Sequence, residues 1–212
     1  MSILRHNLCA AAFLFMAFTL LAGASESAPY QLLKADGKFE LREYPVLTLV
    51  EVSLGTNGDG NFMRLFRFIN GRNDQKQKIA MTTPVFMDGN QTNGTMAFVM
   101  PAVMTSTNTP KPNDSGLMVK EMPPGRFAAL RFKGYRNAKN ETKALEQLRE
   151  WMKAQGLAET SPPVFAYFNP PWTLGFLRHN EVMIRMAEKK PDRQDASSSG
   201  RTGAAATGPA AK

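Results

Sequence analysis

The order strand, helix, strand, strand occurs twice in this chain, and it limits the fold more than any other feature. Residues 41–54 read LREYPVLTLVEVSL. Val46, Leu47, Leu49, Val50 and Val52 form a β-rich run behind Pro45, which predicts a strand. The turn GTNGDG (55–60) follows, and Asn61 is expected to cap a helix. Phe62, Leu65, Phe66 and Ile69 fall at i, i+3, i+4 and i+7, one apolar stripe. Asn70-Gly71 ends that helix. Residues 81–87 and 95–100 then read as strands joined by the turn DGNQTNG.

Residues 119–134 (VKEMPPGRFAALRFKG) replay the start of this order. Arg42-Glu43-Tyr44-Pro45 and Lys120-Glu121-Met122-Pro123 match in residue type at an offset of 123 − 45 = 78 positions. A strand is expected over 127–132, a helix over about 140–155 and strands over 164–168 and 181–186. Ala144, Leu145, Leu148, Trp151 and Met152 supply the apolar face of the second helix, and Gly156 stops it. This pattern predicts an α+β fold. It is a distorted antiparallel or mixed β-barrel from two β-α-β-β pseudo-repeats, with two helices packed outside and a groove between the halves.

The two ends read differently. Residues 1–24 have the form of a secretory signal peptide: Arg5, an uncharged apolar run over 8–22, and small residues at Ala22 and Ala24. The run is short for a bilayer-spanning helix, which needs roughly 20 apolar residues. Cleavage after Ala24 removes Cys9, the one cysteine, together with His6, and leaves a chain suited to an exported, periplasmic or secreted setting. No integral membrane anchor is expected after that cut. Residues 189–212 lack any large apolar side chain and read as a disordered, low-complexity tail. The domain is therefore placed at 25–188. Of the net charge of +8, the tail holds five basic and two acidic residues and Arg5 one more, so the domain keeps 8 − 3 − 1 = +4. A basic excess that owes much to the tail is weak evidence for nucleic acid, which wants a clustered basic face, and none is expected as a partner.

Catalytic signatures are missing. The 55–60 turn lacks the Lys-Ser/Thr pair of a phosphate loop. Asn57, Asp59 and Asn61 imitate a calcium loop, but the twelfth position is Phe68. There is no G-x-S-x-G, H-E-x-x-H or C-x-x-C, so no enzyme class is indicated.

Several segments nevertheless form a set. They are Phe68-Ile69-Asn70-Gly71-Arg72-Asn73, Lys78 to Val85 (KIAMTTPV), Glu43-Tyr44, Met96 to Pro101, Pro110-Lys111-Pro112, Phe132-Lys133-Gly134, Tyr167 to Pro171 (YFNPP) and Arg178 to Val182 (RHNEV). In order and spacing this set resembles the SOUL heme-binding protein family over about residues 30–187. The resemblance implies a barrel-like fold of two halves and a tetrapyrrole ligand, without established catalysis. Heme needs an apolar slot, cations for two propionates and optionally an axial ligand. The first helix offers Phe62, Met63 and Phe66, with Arg64 and Arg67 at i, i+3 for the carboxylates. His179, the one imidazole after cleavage, is the candidate axial ligand. The expected function is an exported heme or tetrapyrrole binder in carriage, buffering or sequestration. The alternatives are an enzyme using Glu43, Glu121 or Glu181 beside the same groove, and a module whose groove takes a lipid or other small molecule.

Overall fold

The structure is a computed structural model and describes residues 25–55, 60–88, 94–170 and 172–187. The expected signal peptide and tail lie outside the described residues. In chain order the elements are β1 (Glu26–Ser27), β2 (Gln31–Asp36), β3 (Phe39–Tyr44), β4 (Leu47–Ser53), α1 (Gly60–Ile69), β5 (Thr82–Thr83), β6 (Val85–Asp88) and β7 (Thr95–Val99). They continue with β8 (Leu117–Met122), β9 (Gly125–Phe132), α2 (Ala138–Ala154), β10 (Val164–Tyr167) and β11 (Asn180–Arg185). A 3-10 turn at Gly175–Leu177 lies between the last two strands.

Nine strands form one antiparallel sheet in the order β2-β3-β9-β11-β10-β6-β7-β4-β8, which curls into a half-barrel with β2 and β8 at its edges. Exchanging β3 with β8, β4 with β9, β6 with β10 and β7 with β11 reverses the eight-strand order β3 to β8 onto itself. The two halves thus meet where β6 pairs with β10, Phe86 facing Ala166.

Within the eight-strand order β3 to β8, each half holds one strand more than the sequence reading gives. Pro45 and Pro123 do not merely precede strands; each separates two strands that pair elsewhere. β3 pairs with β9, and β4 with β7 and β8. Proline cannot donate to a ladder, so the chain leaves one position in the sheet there and enters another. The strand expected over 81–87 is likewise interrupted at Pro84, between β5 and β6. The edge strand β2 was not expected; it pairs with β3 through a turn at Gly37, whose φ of +60° suits glycine.

Both faces of the sheet carry buried hydrophobic residues, which explains its near-continuous apolar runs. On β9, Ala128 and Leu130 pack with the helices while Phe127 and Ala129 point the other way. On β11, Val182 and Ile184 face the helices and Met183 the opposite side. Helix α1 packs on β4 and β7, and α2 on β9 and β11. Leu65 and Phe68 of α1 and Leu148 of α2 are fully buried, each contributing about 1.5–3 kcal/mol of transfer free energy. Asn137 caps α2, its Oδ1 accepting from the Asn140 N–H at 2.9 Å, an interaction typically worth about 1 kcal/mol.

The stripe on α1 differs from the expected one. Leu65, Phe68 and Ile69 are its buried hydrophobic residues, Phe62 is half-buried, and Phe66 is 40% exposed. Phe66 and Phe68 are both admissible in an i, i+3, i+4 pattern; Phe68, at i+3 from Leu65, meets the sheet. Asn61 does not cap the helix. It lies within α1, buried, and its side chain has no hydrogen-bond partner among the described residues.

Candidate ligand-binding groove

Two segments bracket the start of α2. One is the end of β9 and the link after it, 131–137; the other is the loop 169–179. Asn180 Nδ2 donates to the Gly134 carbonyl at 2.8 Å, and the Gly134 N–H to the Gly175 carbonyl at 3.0 Å. These bonds fasten the loop to the link. Between them and α2 opens a groove of about 680 Å³, within the roughly 300–1,000 Å³ usual for small-molecule sites.

Five cations line it: Lys38, Arg131, Lys133, Lys143 and Arg178. Among the described residues no carboxylate does. Phe132, Ala144 and Leu177 supply apolar surface and His179 an imidazole. Three smaller pockets each include a carboxylate: Asp114 in one, Glu43 in another, and Glu51, Asp88 and Glu121 in the third. A set of cations around apolar surface raises the local concentration of anions and holds them by charge-assisted bonds.

Beneath the groove lies a buried ionic network. Arg42 is 2% exposed and holds Glu181 in two bonds, Nη1 to Oε2 at 2.5 Å and Nη2 to Oε1 at 2.9 Å. Arg42 also donates to Glu40 at 2.7 Å and stacks its guanidinium over Tyr30 at 4.3 Å. His179 Nε2 donates to Glu181 Oε1 at 2.7 Å, and Arg131 stands 3.8 Å from the same oxygen. The imidazole stacks on Phe168 with centroids 4.1 Å apart. Glu181 thereby orients two residues of the groove wall. With Nε2 donating, Nδ1 is the ring's other nitrogen.

Burial alone would raise the Glu181 carboxyl, but hydrogen bonds from His179 and Arg42, with the Arg42 charge, outweigh it and hold it down at about 2. A depressed folded value means that its stabilisation is complete above the ordinary 4.5 and is lost as pH falls towards 2. Denaturant unfolding between about pH 6 and about pH 2.5 is expected to show a steeper acid decline in the parent than in Glu181→Gln. Parallel declines would show that Glu181 is not held in this way.

The other expected site residues lie elsewhere. Phe62, Met63, Arg64, Phe66 and Arg67 are all on α1, with the Phe62 and Phe66 rings stacked at 6.1 Å. Met63 and Phe66 are exposed. Arg64 is engaged by Asp114 in two bonds of 2.8 and 2.5 Å. That hydrogen bonding, chiefly, holds the Asp114 carboxyl down at about 2. Arg64 and Arg67 line a pocket of about 260 Å³. His179 therefore borders the groove, while Arg64 and Arg67 border a different pocket, and α1 and α2 pack against different halves of the sheet. Lys38, Arg131, Lys133, Lys143 and Arg178 were not picked out as a set from the sequence. They come from four separate stretches of chain, and only the Phe132-Lys133-Gly134 and Arg178-His179 segments marked their neighbourhood.

The SOUL heme-binding protein family matches residues 25–185. This chain belongs to it. The match takes in the whole described domain except its last two residues, and with it the groove and both helices. Among curated proteins no sequence matches the SOUL-family chain. Among solved structures, the EcmrR C-terminal domain superposes with a TM-score of 0.54 at 12% identity, covering 76% of this chain and 99% of that one. A hydrolase from Listeria innocua gives 0.53 at 10% identity, covering 73% and 94%. An uncharacterized conserved protein from Listeria innocua gives 0.54 at 11%, covering 71% and 92%. At such identities the likeness is one of fold.

Proposed function

We propose that this SOUL-family protein binds heme, or a tetrapyrrole of like charge, in the groove between α2 and the 169–179 loop, as an exported carrier or buffer. The observation that carries this is the lining: five cations, apolar surface and no carboxylate. A flat apolar macrocycle bearing two propionates complements such a lining. Phe132, Ala144 and Leu177 would meet the ring, and Lys133, Lys143 and Arg178 the carboxylates. His179 lies at the same groove, and Glu181 already sets its orientation. Membership of a heme-binding family supports the ligand class. Export rests on the signal-like character of residues 1–24.

The decisive experiment compares hemin with its dimethyl ester, which keeps the macrocycle and loses both charges. Hemin is expected to give a saturable Soret shift, and the ester to bind at least about tenfold more weakly. Equal binding would refute propionate recognition by the groove.

A further inference from the structure

The loop beside the groove turns four large apolar side chains outward. Trp172 is 83% exposed and Phe176 66%, with Leu174 and Leu177 exposed beside them. The backbone that presents them is tied down. The Leu177 N–H donates to the Leu174 carbonyl at 2.9 Å, and Arg178 Nε to the Thr173 carbonyl at 2.8 Å. Gly175 lies so close to the Tyr135 ring that a Cβ there would meet it at 2.8 Å. Tyr135 itself is exposed at the rim. Scattered exposed apolar residues need no explanation, but a cluster of this size on one braced turn marks a contact surface.

Its surroundings say what kind. Residues 131–143 and 172–179 carry Arg131, Lys133, Arg136, Lys139, Lys143 and Arg178 against a single carboxylate, Glu141. That carboxylate is engaged by the Tyr167 hydroxyl at 2.5 Å and stands 3.5 Å from Arg136. Protein interface cores are depleted in lysine. Apolar and aromatic side chains flanked by lysine and arginine are what anionic bilayer surfaces select: rings and leucines enter the headgroup boundary while cations meet phosphates.

We propose that this face docks on an anionic lipid surface through Trp172, Leu174, Phe176 and Leu177, with the flanking basic residues meeting the lipid headgroups. The inference stands apart from the identity of the groove's ligand. Because Leu177 and Arg178 belong to both loop and groove, a docked protein opens its groove next to the bilayer, where apolar ligands dissolve.

The test uses the full chain and vesicles of phosphatidylcholine, alone or mixed with phosphatidylglycerol, carrying brominated acyl chains as quenchers. Trp151, the other tryptophan, is buried and donates to Asp36, so Trp172 is the reporter. Quenching is expected with the mixed vesicles only, and it should vanish in Trp172→Phe. Phe176→Ser should weaken vesicle binding by about tenfold and leave the hemin titration unchanged. Vesicle binding without Trp172 quenching would show attachment through another part of the chain and overturn the proposal. So would a Phe176→Ser chain that binds vesicles as well as its parent. Shielding of Trp172 by a protein partner, with no response to vesicles, would overturn it too.

Discussion

Replacing Arg42 with methionine is expected to destabilise the fold by about 3 kcal/mol, at the lower end of the range for breaking a buried ion pair. The reason is not the loss of attraction alone. Glu181 is 1% exposed, and without Arg42 its carboxylate stays buried with only His179 close by and Arg131 at 3.8 Å. Removing one partner leaves the desolvation cost of the other uncompensated. For a domain of this size the melting temperature should fall by about 6–12 °C. The double replacement Arg42→Met, Glu181→Leu removes both charges and fills similar volume. It should return most of the loss, because apolar substitutes for a buried pair are often neutral or better. A single variant within about 1 kcal/mol of its parent would mean that water reaches the pair.

Reversing two charges of the groove, Lys133→Glu with Lys143→Glu, is expected to weaken hemin binding by at least about thirtyfold. Both lysines are exposed, so the fold should tolerate the change. Each reversal removes a cation and adds a repelling carboxylate, and the wall then holds three cations instead of five. Exposure and salt screen the effect, which is why we expect tens and not thousands. The companion variant is Arg67→Glu on α1, whose hemin affinity should stay within about twofold of the parent because it borders the other pocket. The opposite result would return the ligand to α1, with Phe62, Met63 and Phe66 as its apolar bed.

The sequence exposed the parts of this fold that local chemistry controls. Turns, the two helices and the order of the strands follow from Gly, Pro and apolar spacing. Pairing partners do not. Arg42 reads as an ordinary charged residue before a proline, because the carboxylate that buries it stands 139 positions away. The choice between Phe66 and Phe68 depended on which flank of α1 meets β4 and β7. The groove was hidden for the same reason: a lysine is a surface residue until the fold sets four other cations around it. His179 was the exception, since its rarity marked it. The structure then attached it to Glu181, two residues along the chain, and to Phe168 across the sheet.

The swap at Pro45 and Pro123 has a kinetic consequence. Among the described residues β3 finds its neighbours in β2 and β9, and β4 finds one of its two in β8, so each half completes the other's ladder. Neither can lay down its share of the hydrogen bonds while its counterpart is unformed. Closure of long loops, such as the one from Phe39 to Leu130, must come before those contacts repay it, which places the molecule among slow, high-contact-order folders. During that wait β3 has only β2 beside it and β4 only β7, so each keeps one ladder edge open until the other half arrives.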